Sequence, residues 1–363
     1  MTSFGNLLQK TPQYTRQERH LRSLLGHGSA RKFANLARTE SERLLGRVRL
    51  DSWPYLLIVD PCSYCNLKCP LCYTGMGRLG RPQKMLSFAQ FRACFDQLRS
   101  YLLEVSFHNW GEPLLNPEVY AMIAHAQACD VGTNLSTNLA HVTSDELEAI
   151  IASGLEYLVV SLDGASDSSY RQYRIGGEFH QVVQNLSELL RLRRLRRLKV
   201  PVVEWQFIVM RHNEHELASA KQMARQLGID VLRFIPVGLP LESSQTERKA
   251  LAEQWFPRTI PTRGNQTARY PQQFGQRPRR GPCFYLYRSL TVNADGGISP
   301  CCMVSRQAAD FGHSLDSDLH SLWNNQHFIS ARALFSRTDV PHRLLTVCEG
   351  CDVFRQLPVS ASN

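Results

Sequence analysis

The cysteines are the residues of this chain whose type and spacing predict chemistry. Nine of the eleven cysteines lie in two clusters, four within 62–72 and five within 283–351. In the first cluster, Cys65, Cys69 and Cys72 follow the pattern Cys-x3-Cys-x2-Cys. Three thiolates on one short loop can bind three irons of a 4Fe–4S cube, and the fourth iron then stays open to an exchangeable ligand. We therefore predict a reactive cluster on this loop rather than a closed electron carrier.

An alternative uses Cys62 as a fourth ligand. Cys62 and Cys65 form one Cys-x2-Cys pair, and Cys69 and Cys72 form another. Two such pairs could close a zinc site or an ordinary four-cysteine cluster. Only three residues separate the pairs, whereas zinc modules place a longer loop there. The spacing therefore favours the three-cysteine cluster, and it predicts that Cys62 is dispensable.

The second cluster follows a proline-rich stretch. Its members are Cys283, Cys301 with its neighbour Cys302, and the pair Cys348 and Cys351. A hairpin is predicted between Leu290 and Ser299, with Asp-Gly-Gly at the turn. This hairpin would bring Cys283 and Cys301 together. Because four cysteines can bind either a 4Fe–4S cluster or zinc, the second cluster alone leaves both possibilities open.

Composition limits the function classes. The chain has 363 residues, of which 43% are hydrophobic and 20% charged, as in ordinary globular proteins. No apolar run approaches the ~18 residues that a membrane span needs, and the first ten residues lack a secretory signal. We therefore predict a cytoplasmic protein without a membrane span, in which clustered cysteines bind metal rather than form disulfides. The isolated Cys94 and Cys129 lie in apolar helical patterns and are interpreted as small core residues.

The basic charge of the chain is concentrated in three places. The net charge is +10, and the excess lies in residues 1–50, in a run from Arg191 to Lys199, and in residues 277–280. Solvated helix faces are the simplest interpretation. More specific ones are an acidic electron-donor protein or an anionic substrate. No aromatic-interleaved motif accompanies the charge, so nucleic acid ranks last as a partner.

Six short apolar segments predict the strands that position the first cluster. They span residues 55–60, 103–107, 132–136, 157–162, 202–209 and 231–235. Helical patterns separate them, near 88–100, 117–128, 144–153, 180–195 and 214–227. This alternation indicates βαβ units and a parallel sheet. Since eight units close a full barrel, six units predict an α/β fold with an open, partial (β/α)6 TIM-like barrel.

Local signals predict helix ends and domain limits. The Asn-Pro pair at 116–117 predicts an N-cap and a first helical residue, Thr143 and Glu146 have capping-box spacing, and Gly154 and Gly228 fall where helices should stop. The predicted segments are a basic helical N-terminal extension (1–50), the partial barrel (51–240), a linker or lid (241–282) and a small C-terminal iron–sulfur domain (283–363). In the last segment, a helix over 319–335 returns the chain to the final cysteine pair.

The cysteine loop, which directly follows the first predicted strand, resembles that of the radical S-adenosylmethionine (radical SAM) superfamily. The family pattern is Cys-x3-Cys-x-φ-Cys with φ usually aromatic, and Leu71 stands at φ here. The resemblance covers about residues 52–240. It implies an enzyme that binds a 4Fe–4S cluster, cleaves S-adenosylmethionine reductively and abstracts a substrate hydrogen with the 5′-deoxyadenosyl radical. The resemblance identifies no further catalytic residue.

The resemblance also implies a pocket for S-adenosylmethionine at the strand ends. Trp110-Gly111-Glu112-Pro113 resembles the family's Gly-Gly-Glu-Pro stretch, which binds the methionine amino group, with Trp110 in place of the first glycine. Polar residues after the next strands would meet the ribose and the carboxylate. The residues assigned to the cofactor are Tyr73, Trp110, Gly111, Glu112, Ser136, Asn138, Ser161 and Arg174. Several of these polar residues could instead serve only as turn or cap residues.

The second cysteine cluster resembles the auxiliary-cluster extension called SPASM. Its opening pattern, Cys-x(9–15)-Gly-x4-Cys, is met by Cys283, Gly296 and Cys301. Since no cysteine occurs in the twelve residues after Cys351, the shortened, one-cluster twitch type fits better. The resemblance implies a second 4Fe–4S cluster, for electron transfer. Its ligands would be Cys283, Cys301, Cys348 and Cys351, with Cys302 as an alternative to Cys301.

The resemblance leaves the substrate open. The main prediction is net oxidation (dehydrogenation) of a small hydroxylated or sugar-like molecule, because the basic segment 1–50 is short for the leader-binding domain that peptide maturases often carry. The alternative is a maturase of a ribosomal peptide or protein. A second alternative is a non-catalytic iron–sulfur or zinc-binding electron-transfer module. For either enzyme, the resemblance implies a flavodoxin- or ferredoxin-like electron donor as partner.

Overall fold

A ten-stranded sheet forms the centre of the protein. The computed structural model describes residues 8–9, 12–240, 243–261, 267–269, 282–314 and 318–351. The strands are β1 (Leu8–Gln9), β2 (Leu56–Val59), β3 (Glu104–Phe107), β4 (Gly132–Thr137), β5 (Tyr157–Ser161), β6 (Val202–Val209), β7 (Val231–Pro236), β8 (Thr259–Pro261), β9 (Thr267–Arg269), β10 (Ser289–Val292), β11 (Gly297–Ser299) and β12 (Gly312–His313). Of these, β8 and β9 form a separate antiparallel hairpin.

The strands β2 to β7 confirm the predicted partial barrel. The order across the sheet is β1-β7-β6-β5-β4-β3-β2-β10-β11-β12, and β2 to β6 each pair in parallel with the next strand along the chain. This order is what βα units with right-handed crossovers produce. The two outer strands of the six, β2 and β7, do not pair with each other. The fold is therefore α/β, with the open, partial (β/α)6 TIM-like barrel that the alternation predicts.

Helices cover the outside of this sheet. They are α1 (Pro12–His27), α2 (Ala30–Leu44), α3 (Phe88–Leu98), α4 (Val119–Ala128), α5 (Ser144–Ala152), α6 (Asp167–Tyr173), α7 (Phe179–Leu195), α8 (Leu217–Leu227), α9 (Gln245–Trp255), α10 (Tyr285–Arg288), α11 (Leu319–Trp323) and α12 (Gln326–Ser336). Within the described ranges, no helix is both long enough and apolar enough to cross a membrane.

The predicted helix ends are mostly confirmed. Thr143 and Glu146 form the capping box of α5, and Gly228, with φ +77°, ends α8. The prediction is wrong at α4, which begins at Val119. Asn116 still accepts a hydrogen bond from the N–H of Glu118 at 2.9 Å through its Oδ1, and its amide donates to the carbonyls of Pro61 and Leu86 at 2.8 Å. The single helix predicted over 319–335 is instead two helices, α11 and α12.

The N-terminal extension packs against the amino ends of the barrel strands. Glu104, the first residue of β3, is buried, and its carboxylate lies 2.8 Å from Nδ1 of His20 and 3.0 Å from Nε of Arg19 on α1. Burial opposes ionisation of Glu104, but the charge of Arg19 and the contact with His20 outweigh it and lower the pKa of Glu104 to about 2. Helix α1 therefore covers the end of the barrel opposite to the cysteine loop.

His27, at the end of α1, lies between two carboxylates. Its Nε2 is 2.7 Å from Glu156 and its Nδ1 is 2.9 Å from Asp130. The hydrogen bond to Glu156, aided by Asp130 and opposed by burial, raises the pKa of His27 above its usual 6.5. Because the folded-state pKa is raised, the contribution of His27 to stability is complete below the unfolded-state pKa and is lost as the pH rises through the folded-state pKa.

We expect His27→Gln to lower the free energy of unfolding by about 1 kcal/mol at pH 5.5 and by much less at pH 9. The loss at pH 5.5 is no larger because Asp130 is well exposed and solvent screens its charge. Denaturant titration of the wild type and the variant at both pH values measures this difference. The exposed His180 is the control, and His180→Gln should change neither value. A pH-independent effect of His27→Gln would show that the ring acts by packing alone.

The C-terminal domain joins the barrel through the sheet itself. Strand β10 pairs in parallel with β2 over residues 289–292, and β10 and β11 form the predicted hairpin. Gly296 turns this hairpin with φ +86°. Arg81, from the loop after the first cysteine cluster, donates to Asp295 at 3.0 Å and to Asp310 at 2.7 Å. The alternation of strands and helices did not predict that the sheet continues from one domain into the other.

The predicted linker or lid, residues 241–282, contains helix α9. From this helix, Trp255 packs edge-on against Tyr173 of the barrel, with the ring centres 5.5 Å apart. The basic run at 277–280 and most of the predicted linker after 261 lie outside the described residues, as do residues 352–363.

Candidate functional site

The first cysteine cluster lies on the loop that follows β2. Asp60 begins this loop, and its buried carboxylate accepts hydrogen bonds from the backbone N–H groups of Trp110 and Gly111 at 3.2 and 3.3 Å. Gly111 has no room for a side chain, since a Cβ there would lie 1.7 Å from the carbonyl oxygen of Cys62. The glycine of the Gly-Glu-Pro stretch is therefore required by the close contact between the loops after β2 and β3.

Cys65, Cys69 and Cys72 lie within eight consecutive residues of the loop after β2. Burial raises the pKa of the Cys65 thiol to about 12, and negative charges on nearby groups, Cys69 and Cys72 among them, raise it further. Cys69 is 6% exposed, and the other two are half-buried. Cys62 is fully buried and donates its thiol proton to the carbonyl of Tyr64 at 3.4 Å. Cys62 is thus part of the core and separate from the other three.

The cysteines of both clusters fit an iron–sulfur cube, because thiolates are the protein ligands of such clusters. Thiolates are also ligands of zinc, so the side chains alone suit either group.

Glu112 connects the loops after β3, β4 and β2. Its carboxylate is buried and accepts hydrogen bonds from Thr137 Oγ1 at 2.7 Å and from the N–H of Asn138 at 2.8 Å. Asn138 in turn donates its Nδ2 to Asn66 at 2.8 Å, and this Nδ2 lies 3.6 Å from the sulfur of Cys65. Burial raises the pKa of Glu112, although these donors oppose the rise. A single carboxylate thus fixes three loops around the cysteines.

We expect Glu112→Gln to lower the free energy of unfolding by about 1–3 kcal/mol, because a carboxamide cannot accept from all of these donors and leaves a buried one unsatisfied. Denaturant unfolding of the iron-loaded protein measures the loss. Glu118 is the matched control, since it is exposed and accepts a single backbone N–H, that of Phe88, at 3.0 Å. Glu118→Gln retains an acceptor and should change stability by less than about 0.5 kcal/mol. Equal losses in both variants would contradict the expectation.

Arg174 is held beside the cysteines by an ion pair that the sequence did not predict. It follows α6, a helix that the periodicity missed, and its Nε donates to Asp163 at 2.6 Å. Its NH1 lies 3.8 Å from the sulfur of Cys69. Burial opposes the charge, but Asp163 and Cys69 raise the pKa of Arg174 well above its ordinary value. The arginine therefore presents a fixed positive charge to the cysteine loop.

The remaining predicted pocket residues lie at the same carboxyl edge of the sheet. Ser161 is the last residue of β5 and is 8% exposed, and Ser136 is half-buried in β4. Tyr73, directly after Cys72, is also 8% exposed. The structure therefore brings all eight predicted pocket residues to the loops and strand ends that surround the cysteines.

Trp110 connects the first cluster to the C-terminal domain. Its ring packs edge-on against Tyr73 with the ring centres 5.5 Å apart, and its Nε1 donates to the carbonyl of Val304 at 3.0 Å. Thr74 Oγ1 donates to the Trp110 carbonyl at 2.7 Å. A glycine at this position would make neither side-chain contact. The departure from Gly-Gly-Glu-Pro is therefore tied to the second domain.

Gly75 and Thr137 are among the residues of the site that sequence reasoning missed. A Cβ at Gly75 would lie 2.5 Å from the backbone nitrogen of Cys69, so this glycine permits the cysteine loop to fold on itself. Thr137 donates to Glu112, as described above. Two features of the sequence could have identified them. Gly75 is a glycine three residues after Cys72, and Thr137 is a hydroxyl residue at the end of a predicted strand.

The second cysteine cluster gathers residues from three segments. Cys283 precedes α10, Cys301 follows β11, and Cys348 and Cys351 lie near the C-terminal end of the described chain. Burial raises the pKa of the Cys301 thiol, and negative charges on Cys302, Cys348 and Cys283 raise it further. Burial also raises the pKa of the Cys348 thiol, and negative charges on Cys283 and Cys351 raise it further. The structure thus brings the four predicted cysteines together, with Cys302 beside Cys301.

Two family models match the chain. Residues 59–224 match the radical SAM superfamily, and residues 283–352 match SPASM, an iron–sulfur cluster-binding domain. Among curated proteins, the chain is 26% identical to the pre-heme d1 synthase of Dinoroseobacter shibae over 166 aligned residues. The alignment covers 46% of this chain and 39% of that protein. The match thus spans about two fifths of that relative's length.

Other relatives match across both domains. The PqqA peptide cyclase of Gluconobacter oxydans is 24% identical over 291 residues, covering 76% of this chain and 78% of that protein. Among solved structures, SuiB of Streptococcus suis bound to its precursor peptide SuiA has a TM-score of 0.57 at 13% identity. That comparison covers 82% of this chain and 69% of SuiB. At this identity the likeness concerns the fold alone.

Proposed function

Because the chain belongs to the radical SAM superfamily and is an enzyme with a C-terminal iron–sulfur cluster-binding domain, we propose that it abstracts a hydrogen atom from a peptide. The peptide radical would then lose a proton to solvent and one electron to the cluster of the C-terminal domain, which leaves the peptide oxidised. The cofactors of the two domains are 4Fe–4S clusters and S-adenosylmethionine. When bound, these cofactors supply the 5′-deoxyadenosyl radical that takes the hydrogen. The protein contributes binding, orientation and the exclusion of water.

In this proposal the first cluster is held by Cys65, Cys69 and Cys72. The observation that carries it is the fit of these residues, three cysteines spaced Cys-x3-Cys-x2-Cys on a loop at the carboxyl edge of a parallel sheet, within the part of the chain that matches the radical SAM model. Asn138 and Arg174 approach two of the sulfurs and position the loop. A second cluster is held by Cys283, Cys301, Cys348 and Cys351.

S-adenosylmethionine would lie over the loops that Glu112 connects. The carboxylate of Glu112 accepts hydrogen bonds from Thr137 and Asn138, yet a carboxylate offers about four lone-pair sites, so it retains capacity for the ammonium group of the cofactor. Arg174 places its NH1 3.8 Å from the sulfur of Cys69 and would face the carboxylate of the cofactor. The other residues of the proposed pocket are Tyr73, Trp110, Gly111, Ser136 and Ser161.

A peptide substrate is supported by the comparison that extends across both domains. The PqqA peptide cyclase matches 76% of this chain, whereas the pre-heme d1 synthase matches 46%. The short N-terminal extension favoured a small hydroxylated substrate. That substrate stays a prediction, and it has less support than a peptide. The extension itself packs against the amino ends of the strands, so its length does not decide how a peptide would be bound at the opposite end.

The proposal includes an electron donor and a location. A net charge of +10 suits an acidic flavodoxin- or ferredoxin-like donor. Nine cysteines in two clusters that would bind metal suit a reducing compartment such as the cytoplasm.

The test uses anaerobic, cluster-reconstituted protein with S-adenosylmethionine and dithionite. Peptides encoded beside the gene are prepared fully deuterated, and a deuterated sugar alcohol serves as the competing probe. We expect deuterium from a peptide to appear in 5′-deoxyadenosine, together with a loss of hydrogen from the peptide mass. Deuterium arriving from the sugar alcohol and from none of the peptides would overturn the peptide proposal and leave the radical chemistry intact. An absence of any 5′-deoxyadenosine from iron-loaded protein would overturn both.

A further inference from the structure

Cys129 is the cysteine whose environment the two clusters do not explain. The sequence predicted core positions for Cys94 and Cys129. Cys94 is 1% exposed, which confirms that prediction. Cys129 is half-buried at the end of α4, and the exposed Arg99 places its NH1 3.6 Å from the Cys129 sulfur. Cys129 is therefore at the edge of the core, since it packs against the core residues while its sulfur also meets a polar group.

Two further ligand types converge on this sulfur. The sulfur of Cys129, a ring nitrogen of His125 and a carboxylate oxygen of Asp96 all lie within 4.8 Å of one another. Of the residues that the structure describes, this is the only such group of three or more histidine, cysteine and acidic side chains. His125 and Cys129 are four residues apart at the end of α4, so they lie on the same face of the helix. Asp96 reaches them from the last turn of α3.

The imidazole of His125 is held in place before any ligand binds. Its ring packs edge-on against Phe88, Phe91 and Phe95, with ring centres 5.5 to 6.4 Å apart. Its Nε2 lies 2.8 Å from Asp96 Oδ1. A ring fixed on three sides keeps this nitrogen directed at the other two ligands, which is the preorganisation that a metal site requires.

The charges of the three ligands suit zinc. A thiolate, a carboxylate and a neutral imidazole together balance a divalent cation, and this mixed sulfur, nitrogen and oxygen set is one that zinc accepts. Two cations lie on the outer side, Arg99 beside Cys129 and Arg92 at 3.4 Å from Asp96. Both arginine side chains are exposed, so they can turn into solvent when a metal replaces them.

We propose that Asp96, His125 and Cys129 bind one zinc ion, with water in the fourth position, and that this ion links α3 to α4 on the outside of the barrel. The site is separate from both cysteine clusters, and its existence does not depend on the proposed function. The bound zinc stabilises the folded enzyme, because it binds the folded state in preference to the unfolded one.

The test measures zinc in the anaerobic, cluster-reconstituted enzyme after equilibration with zinc and a competing chelator. We expect one zinc per chain in the wild type, and at least about tenfold weaker binding in Cys129→Ser and in His125→Ala. Cys94→Ala, which removes a buried cysteine outside the group, is the matched control and should keep the zinc. Iron content must be the same in all four proteins, which shows that they are folded and that their clusters are loaded.

X-ray absorption at the zinc edge gives a second, independent measurement. Zinc bound here has one sulfur neighbour at about 2.3 Å and three nitrogen or oxygen neighbours near 2.0–2.1 Å. Zinc bound in a cysteine cluster would instead show three or four sulfurs. A sulfur-rich spectrum, or equal zinc affinity in Cys129→Ser and the wild type, would overturn the proposal. If either Cys129→Ser or His125→Ala loses iron, zinc binding is measured in Asp96→Asn instead of in that variant.

Discussion

Cys69→Ala is expected to abolish the formation of 5′-deoxyadenosine, a loss of at least about 1000-fold that corresponds to roughly 4 kcal/mol of activation free energy. Cys69 is the most buried of the three cysteines proposed to hold the first cluster, and Arg174 lies beside its sulfur. With two thiolates left, the loop cannot hold a cube at three corners. The measurement is product formation from S-adenosylmethionine and dithionite, together with iron per chain.

Cys62→Ala provides the matched control for this loss. Cys62 belongs to the same loop, but its side chain is fully buried and its thiol donates to the Tyr64 carbonyl. The variant should keep its iron and most of the 5′-deoxyadenosine formation of the wild type. Should Cys62→Ala lose the cluster, or Cys69→Ala keep it, the assignment of the three ligands would be wrong.

Arg81→Met is expected to lower the free energy of unfolding by about 3–5 kcal/mol, because it leaves two buried carboxylates without their cation. The Arg81 side chain is 0% exposed and pairs with Asp295 and Asp310, which are 2% and 7% exposed. These pairs join the loop after the first cysteine cluster to the C-terminal domain. Denaturant unfolding of the anaerobic holoenzyme measures the loss.

Arg78 is the control for Arg81, since it lies on the same loop and also pairs with a carboxylate. Its partner is Glu247 at 3.0 Å, but the two side chains are 61% and 37% exposed. An exposed pair of this kind contributes less than about 1 kcal/mol. If Arg78→Met and Arg81→Met destabilise the enzyme equally, burial does not determine the strength of the Arg81 pairs.

The fold of the barrel could be predicted from sequence because each strand carries its own local signal. The six apolar segments match β2 to β7 to within one residue at either end, and a capping box or a glycine marks several helix ends. The pairing of β10 with β2 has no such signal. It joins residues far apart in sequence, and no periodicity within either segment specifies a partner.

The cysteines of the site could be predicted because their spacing is itself the signal. The partners of the surrounding polar residues could not. Arg174 pairs with Asp163 and Asn138 pairs with Asn66, and such contacts depend on how neighbouring loops approach one another. The likeness to Gly-Gly-Glu-Pro located Gly111, but the reason for this glycine, its contact with the Cys62 carbonyl, appears only in three dimensions.

The pairing of β10 with β2 also determines how the enzyme is made in the cell. The ribosome completes β2 at residue 59, and its partner β10 only at residue 292. At about 5–20 residues per second, the two events are separated by roughly 10–50 s. Throughout that interval one edge of β2 has unpaired N–H and C=O groups, to which another nascent chain could add a strand. A domain that is synthesised after the barrel is therefore the one that protects the first strand of the barrel.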